Sequence, residues 1–501
     1  MESYRMLIDG KLVDAESGET FEVVDPCTEE PIAMVPSGSR GDVRRAAAAA
    51  RRAFDRTNWP TLDQDARIRL LLDLADRLEA KAEMLVELET RQSGIPIRKT
   101  TLMDIPVGIE MFRTMVRASA FPRYEPLPWI DFPAVSWNFV HRGPIGVCGA
   151  ISAWNFPFLF TMWKAAPALA MGNTLVLKPA SLTPLTCLEF AKTALEAGLP
   201  PGVLNVVVGG GATVGAEICE SPLIDKISFT GSTEVGRQVQ RMAAGNIKKL
   251  TLELGGKSPN VVLDDADVNM AVDGAIFAIL FNNGQACEAG SRLLLHDSIH
   301  DAFLERMLER MKLVKVGDTL DFDTTVGPVV SEGQRKVVEG YIRSGVEQGA
   351  KLLWGGGRPE GLERGFFVEP TIFGNVTPEM RIFQEEIFGP VLSVTRFKSV
   401  DEAVALANDT KYGLAGAVWS RDIQRAIGVA KRIRAGTVWI NDYHLLNPNA
   451  PFGGFKQSGT GHEMSTYCLK EYTEIQHLHV DQVGNDRGRK FWFDYVMNRP
   501  E

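Results

Sequence analysis

The chain has 501 residues, too many for one ordinary core, so two or three domains are expected around a large apolar interior. Hydrophobic residues make up 45% and charged residues 23%, no single-sign run is long enough for a disordered tail, and the net charge of -9 argues against nucleic acid as a main partner. The six cysteines, at 27, 148, 187, 219, 287 and 468, form no CxxC, so no metal site and no disulfide framework is expected, and a reducing cytoplasm fits best.

The N-terminal "MESYRMLIDG" has neither the basic start nor the apolar core of a secretory signal. An Ala/Arg-rich stretch, 42–55, predicts a helix, and over 62–90 the positions Leu71, Leu74, Leu78, Ala82 and Leu85 have amphipathic helical spacing. "PAVSWNFVHR" (133–142) alternates enough to be a strand. Residues 144–163, "PIGVCGAISAWNFPFLFTMW", carry no charge and are about as long as a membrane span needs. Pro144, Pro157, Asn155 and the glycines break any continuous helix, so a buried strand, a loop and a helix start are expected, with no membrane span.

Short apolar runs then alternate with helical stretches: strands at 174–178, 204–208, 226–229 and 250–253, and helices near 184–197 and 233–244. Such units predict a parallel sheet covered on both faces, the architecture of nucleotide-binding domains. A second α/β stretch runs from about 258 to 450, with helices at 299–312 and 401–408. A last alternating segment, "TEIQHLHV" (473–480), could pair with 133–142 or with another subunit. The terminal "DRGRKFWFDYVMNRPE" is unusually aromatic, which suggests docking on a subunit surface or a tunnel mouth.

Four segments could carry chemistry. "GQACEAGSR" (284–292) ends a long apolar run, yet the asparagines, glycine and glutamine before Cys287 suit a tight polar loop; the thiol could be a nucleophile or a small core residue. Asn155 in "AWNFP" follows a predicted strand and could donate to a developing oxyanion, or simply cap the next helix. "FTGSTEVG" (229–236) links a strand to a helix, so its N–H groups could cradle a pyrophosphate; a plain turn with Ser232 or Thr233 as N-cap is the alternative. Glu253 in "TLELGGKSP" could act as a general base through water, or be a loop charge beside two glycines that permit close approach.

These segments, with "EEIFGPV" and "PFGGFKQSG", occur in the order and spacing of the aldehyde dehydrogenase superfamily, which the sequence resembles over nearly its whole length. The resemblance implies a Rossmann-type parallel-sheet cofactor domain (1–122 and 145–255), an α/β catalytic domain (256–450), and a small β oligomerisation extension with the tail (123–144 and 451–501). It makes Cys287 the nucleophile, Glu253 the general base, and Asn155 an oxyanion donor with the Cys287 backbone N–H. NAD or NADP would meet Ser152, Trp154, Lys178, Ser181, Gly231, Ser232, Leu254, Glu386 and Phe388. The aldehyde tunnel would be lined by Phe156, Trp163, Phe281, Glu288, Leu446 and Phe452, a set suited to an apolar or aromatic small-molecule aldehyde. A homodimer or homotetramer is implied.

Two departures stand out. Many strictly NAD-dependent members carry a glutamate three residues after the lysine, where "KPAS" has Ser181; a carboxylate would repel a 2′-phosphate and serine would not, so NADP acceptance is expected. Glu288 stands where many relatives are uncharged. Facing the tunnel it would disfavour anionic aldehydes and raise the Cys287 pKa; facing away it would be solvated or paired with Arg292. Glu288 with Asp442 and Trp163 would instead suit a cationic aminoaldehyde. From other classes, a cysteine hydrolase or thioesterase would want a histidine, the nearest being His296, and a silent structural protein would have no use for Cys287, Glu253 and Asn155 together.

Overall fold

The computed structural model describes residues 2–132, 134–482, 484 and 490–498. The middle of the chain forms five parallel strands in the spatial order Lys249–Glu253, Lys226–Thr230, Val147–Ile151, Thr174–Lys178 and Leu204–Val206. Runs such as "TLVLK" are apolar throughout because helices cover both faces and every residue of that strand is buried. The chain enters at Val147–Ile151, builds outward to one side, then returns to build the other. This reversal leaves a crevice beyond the carboxyl ends of Val147–Ile151 and Lys226–Thr230, where ligands bind in open α/β sheets. Met6–Ile8, Lys11–Val13 and Gly459–Thr460 extend the sheet antiparallel to eight strands.

A second, seven-stranded sheet runs Lys351–Trp354, Thr371–Gly374, Val391–Phe397, Arg292–His296, Pro259–Val262, Ala415–Trp419, Thr437–Ile440, parallel except for the first. The expected strand segments 133–142 and 473–480 pair with each other: Ser136–Pro144 lies antiparallel to Thr473–Asp481, with Tyr124–Pro126 on the free edge of the former. The stretch 451–472, grouped in sequence with that extension, does not join it. Its Gly459–Thr460 pairs with Leu252 and Glu253 on the cofactor sheet, and Phe452 enters the tunnel wall.

The helices at 42–55, 184–197, 233–244, 299–312 and 401–408 are present, as Arg40–Arg56, Leu185–Glu196, Thr233–Ala243, His300–Met311 and Val400–Asn408. The stretch 62–90 is two helices, Gln64–Glu79 and Ala82–Ser93. The uncharged stretch 144–163 is the strand Val147–Ile151, a loop, and the start of Pro157–Ala170. Among the described residues no helix is long and apolar enough to cross a membrane. The aromatic tail lies partly outside the described residues; within them, Lys490 pairs with Asp481 at 2.9 Å and Trp492 stands edge-on to Phe493.

Candidate active site

The helix Val268–Leu280 ends at an irregular turn in which Asn282 and Asn283 both have left-handed backbone, φ 57° and 56°. Asparagine tolerates this conformation, and Gly284 (φ 72°) must lack a side chain, since a Cβ there would lie 2.3 Å from the Gly389 carbonyl carbon. Side-chain amides fix the loop from all sides. Asn282 donates to the carbonyls of Asn155 (2.9 Å) and Gln285 (3.1 Å), Asn283 donates to those of Gly94 and Pro328, and Gln285 accepts from Val330 N–H. The loop is therefore polar but buried, and Cys287 is more accessible than any of its neighbours from 282 to 290.

Two cavities meet at that thiol. One, at the sheet crevice, is lined by Trp154, Asn155, Gly231, Ser232, Leu254, Glu386 and Phe388. The other is a tunnel walled by Phe156, Trp163, Phe281, Glu288, Leu446 and Phe452, together with Met111, Leu159 and Phe160. Cys287, Glu253 and Thr230 line both. Three expected cofactor residues stand back from the crevice. Ser152 N–H donates to the Lys178 carbonyl at 3.0 Å, and Ser181 Oγ donates to the Gly209 carbonyl at 2.9 Å. Lys178 Nζ is buried and donates to the Pro179 carbonyl; burial pulls its pKa down to about 8.

Asn155 does not cap the following helix, whose start has no side-chain cap. Its Nδ2 donates to the Gln285 carbonyl at 2.9 Å, which aims the amide at the thiol loop and leaves a second hydrogen for another acceptor. Ser232 is an N-cap, accepting from Val235 N–H, and it also lines the crevice. The glycines of "ELGGKSP" are dictated by contact. A Cβ on Gly255 would sit 2.1 Å from the Glu386 carboxylate, and one on Gly256 would sit 2.2 Å from the Cys287 carbonyl oxygen. Glu386 accepts from Gly256 N–H at 3.0 Å, and burial pushes its pKa up to about 7.

Glu253 is buried, and neither of its oxygens has a hydrogen-bond partner among the described residues. Burial, then the charge of Glu463, push it well above the usual carboxylate range, while Lys164 opposes them. Lys164 Nζ contacts Glu463 Oε1 at 3.1 Å, and Ser228 Oγ donates to the same oxygen at 2.8 Å. A carboxyl with unused lone pairs beside a thiol has the makings of a proton acceptor.

The aldehyde dehydrogenase family model matches residues 12–478. The chain belongs to the aldehyde dehydrogenase family. A betaine aldehyde dehydrogenase of Bacillus subtilis is 46% identical over 488 residues, covering 95% of this chain and 97% of that protein. The human mitochondrial aldehyde dehydrogenase is 44% identical over 479 residues, covering 95% and 92%. Among solved structures, the NAD+ complex of aldehyde dehydrogenase from Bacillus cereus has a TM-score of 0.93 at 42% identity, covering 96% of this chain and 97% of that one. The protein is accordingly an oxidoreductase that acts on aldehydes, with the α/β fold of that family.

In this aldehyde dehydrogenase Glu288 faces the tunnel. It is 5% exposed, its Oε2 accepts from Cys287 Sγ at 3.3 Å, and its Oε1 lies 3.0 Å from His444 Nδ1. Arg292 is not its partner; the guanidinium donates to the carbonyls of Lys257, Leu406 and Ala407. Asp442 is not in the tunnel wall, and its carboxylate accepts from Tyr443 N–H at 2.8 Å. His296 bonds Ser298 instead, while His444 is linked to the thiol through Glu288. Sequence reasoning missed His444, Lys164 and Glu463. All three act across long separations, and only a buried charge inside an apolar run, as at Lys164, gives a local sign.

Proposed function

We propose that this chain oxidises an apolar or aromatic aldehyde to its carboxylic acid, with Cys287 as nucleophile and NAD or NADP as hydride acceptor. The observation that carries the proposal is the meeting of crevice and tunnel at Cys287 and Glu253, which lets one carbon face a thiol, a base and a redox partner at once. The crevice suits a dinucleotide. Gly231 opens it, since a Cβ there would clash with the Phe229 ring at 2.5 Å, and the 11-residue helix Thr233–Ala243, capped by Ser232, starts beside it. Trp154 and Phe388 stand edge to face 5.1 Å apart at its inner end, with the Glu386 carboxyl available to ribose hydroxyls.

Cys287 Sγ adds to the aldehyde carbon, and the oxyanion of the resulting thiohemiacetal is held by the second Asn155 Nδ2 hydrogen and the Cys287 backbone N–H. The nicotinamide, when bound, supplies the hydride acceptor that turns this adduct into a thioester. Glu253 then takes a proton from water, whose oxygen attacks the thioester and releases the acid. Lys164 and Glu463 act on Glu253 through their charges, the lysine favouring its ionised form and the glutamate opposing it. Ser181 in place of a carboxylate, with Lys178 close in sequence, supports acceptance of NADP beside NAD.

The tunnel's Phe156, Phe160, Trp163, Phe281 and Phe452 favour a neutral apolar chain or ring. A second reading, an aminoaldehyde, draws on those aromatic walls, on the Glu288 carboxylate, and on the activity named for the B. subtilis relative. We also propose a homodimer or homotetramer built on the three-stranded sheet. Reduction of NAD and of NADP by aliphatic, aromatic, amino and acidic aldehydes, with Cys287→Ala as the blank, tests the reading. Aromatic and aliphatic aldehydes are expected to give the highest kcat/KM, and turnover surviving in C287A would sink it.

A further inference from the structure

Glu253 and Glu288 both border the Cys287 thiol, but only Glu288 is bonded to it, through Sγ to Oε2 at 3.3 Å. The Glu288 carboxylate is held from behind. His444 Nδ1 meets Oε1 at 3.0 Å, His444 Nε2 meets the Ala278 carbonyl at 3.1 Å, and Tyr443 OH donates to the Glu288 backbone carbonyl at 2.8 Å. Each ring nitrogen of His444 therefore faces an acceptor. The hydrogen bond and charge of His444 favour the ionised Glu288 carboxylate. The ring cannot swing away, being fully buried against Phe281 (centroids 4.5 Å), Tyr443 (4.8 Å) and Phe277 (5.3 Å).

We propose that Glu288 accepts the Cys287 thiol proton as sulfur attacks the aldehyde, and that His444 is the positioning residue that keeps the Glu288 carboxylate ionised and aimed at sulfur. The proposal rests on Cys287 being the nucleophile. The S–H bond breaks as the S–C bond forms, the proton goes to Glu288 Oε2, and the carbonyl electron pair moves onto the aldehyde oxygen. One negative charge exists before and after, transferred from Glu288 to an oxyanion beside Asn155. A free thiolate formed beforehand would instead add a second charge among Glu253, Glu288 and Glu386. Burial and then those three carboxylates, Glu288 first, hold the thiol well above its usual range. Burial also pushes Glu288 up, but the bond and charge of His444, helped by hydrogen bonds from the Glu288 backbone N–H and the Cys287 thiol, leave the carboxyl below its usual range. The other groups facing this cluster are Tyr443, and Asp104 on the tunnel wall, which is paired with Lys99. Glu253, unbonded and open to both cavities, is left for the water step.

A carboxylate that merely repels a thiolate and one that takes the proton predict opposite signs. The full-length enzyme without added cofactor is alkylated with iodoacetamide across about pH 4 to 9, and the Cys287 peptide is followed by mass spectrometry. Glu288→Gln is expected to slow alkylation near neutral pH by roughly 100-fold, the worth of a general base. Glu288→Asp, which keeps an acceptor, is expected to retain part of the rate. His444→Gln is expected to move the acid limb of the profile to higher pH, because Glu288 without its cation takes up a proton more readily. Alkylation of E288Q as fast as or faster than wild type would overturn the proposal, as would equal loss in E288D or an unmoved limb in H444Q. Failure of the parent reading looks different: C287A would then still turn over aldehyde.

Discussion

Glu253 is a carboxyl with both oxygens buried and without a hydrogen-bond partner among the described residues. Because its pKa is raised, thioester hydrolysis should gain rate as pH climbs through that value, when the ionised form appears. Glu253→Gln should keep the first, fast burst of reduced cofactor but lower steady-state turnover by about 10²–10³-fold and lose that acid limb, readable by stopped-flow absorbance. On the proposed reading, in which Ser181 meets the adenosine ribose, Ser181→Glu should weaken NADP relative to NAD by at least about tenfold in kcat/KM, since a carboxylate would oppose a 2′-phosphate. That Cys287, Glu253 and Asn155 meet at one place was legible only through the family resemblance of their segments, since each segment alone left a structural reading open. The direction of Glu288 was not. It depends on His444, 156 positions later, and nothing in "NDYHLL" announces a partner so far away.

At the scale of elements, periodicity placed most of the helices and strands it named within a residue or two, named none of the strands of the second sheet, and failed where one pattern ran across a break. The stretch 62–90 keeps its apolar spacing through Ala80 and Lys81, with neither glycine nor proline to mark the end of a helix. The break is set by tertiary contacts instead: Lys81 Nζ reaches Thr193 and Glu196 on the helix Leu185–Glu196. The turn between Lys249–Glu253 and Pro259–Val262 carries a second cost invisible in sequence. Lys257 is buried, its ammonium has no hydrogen-bond partner among the described residues, and burial, then Arg292, pull its pKa down to about 7 from 10.5. The unfolded chain binds that proton more tightly, so this residue makes stability rise with pH from about 7 to 10.5 and costs most below that window. Lys257→Met should stabilise the fold by about 1–3 kcal/mol at pH values below the window, measured by chemical denaturation, with the gain shrinking as pH rises.

Across the whole molecule, the α/β class and the pairing of the two orphan strand segments could be anticipated, while the spatial order of the strands could not, because sequence order says nothing about the side on which a sheet grows. The three-stranded sheet presents one face with Tyr124, Trp137 and Val480 exposed, Trp137 by 55%, a poor surface for an isolated chain. Trp137→Asp is expected to shift the protein to a smaller species in sedimentation velocity; an unchanged coefficient would remove that sheet from the assembly. The meeting of crevice and tunnel at one sulfur has a consequence for traffic. On the proposed reading aldehyde and dinucleotide arrive by separate doors, which share only the walls made by Thr230, Glu253 and Cys287. A wedge lodged among Trp163, Phe452 and Leu446 would close one door and leave the other swinging freely, so a bulky substitution there is expected to raise the KM for aldehyde while leaving NAD binding, read by equilibrium titration, unchanged.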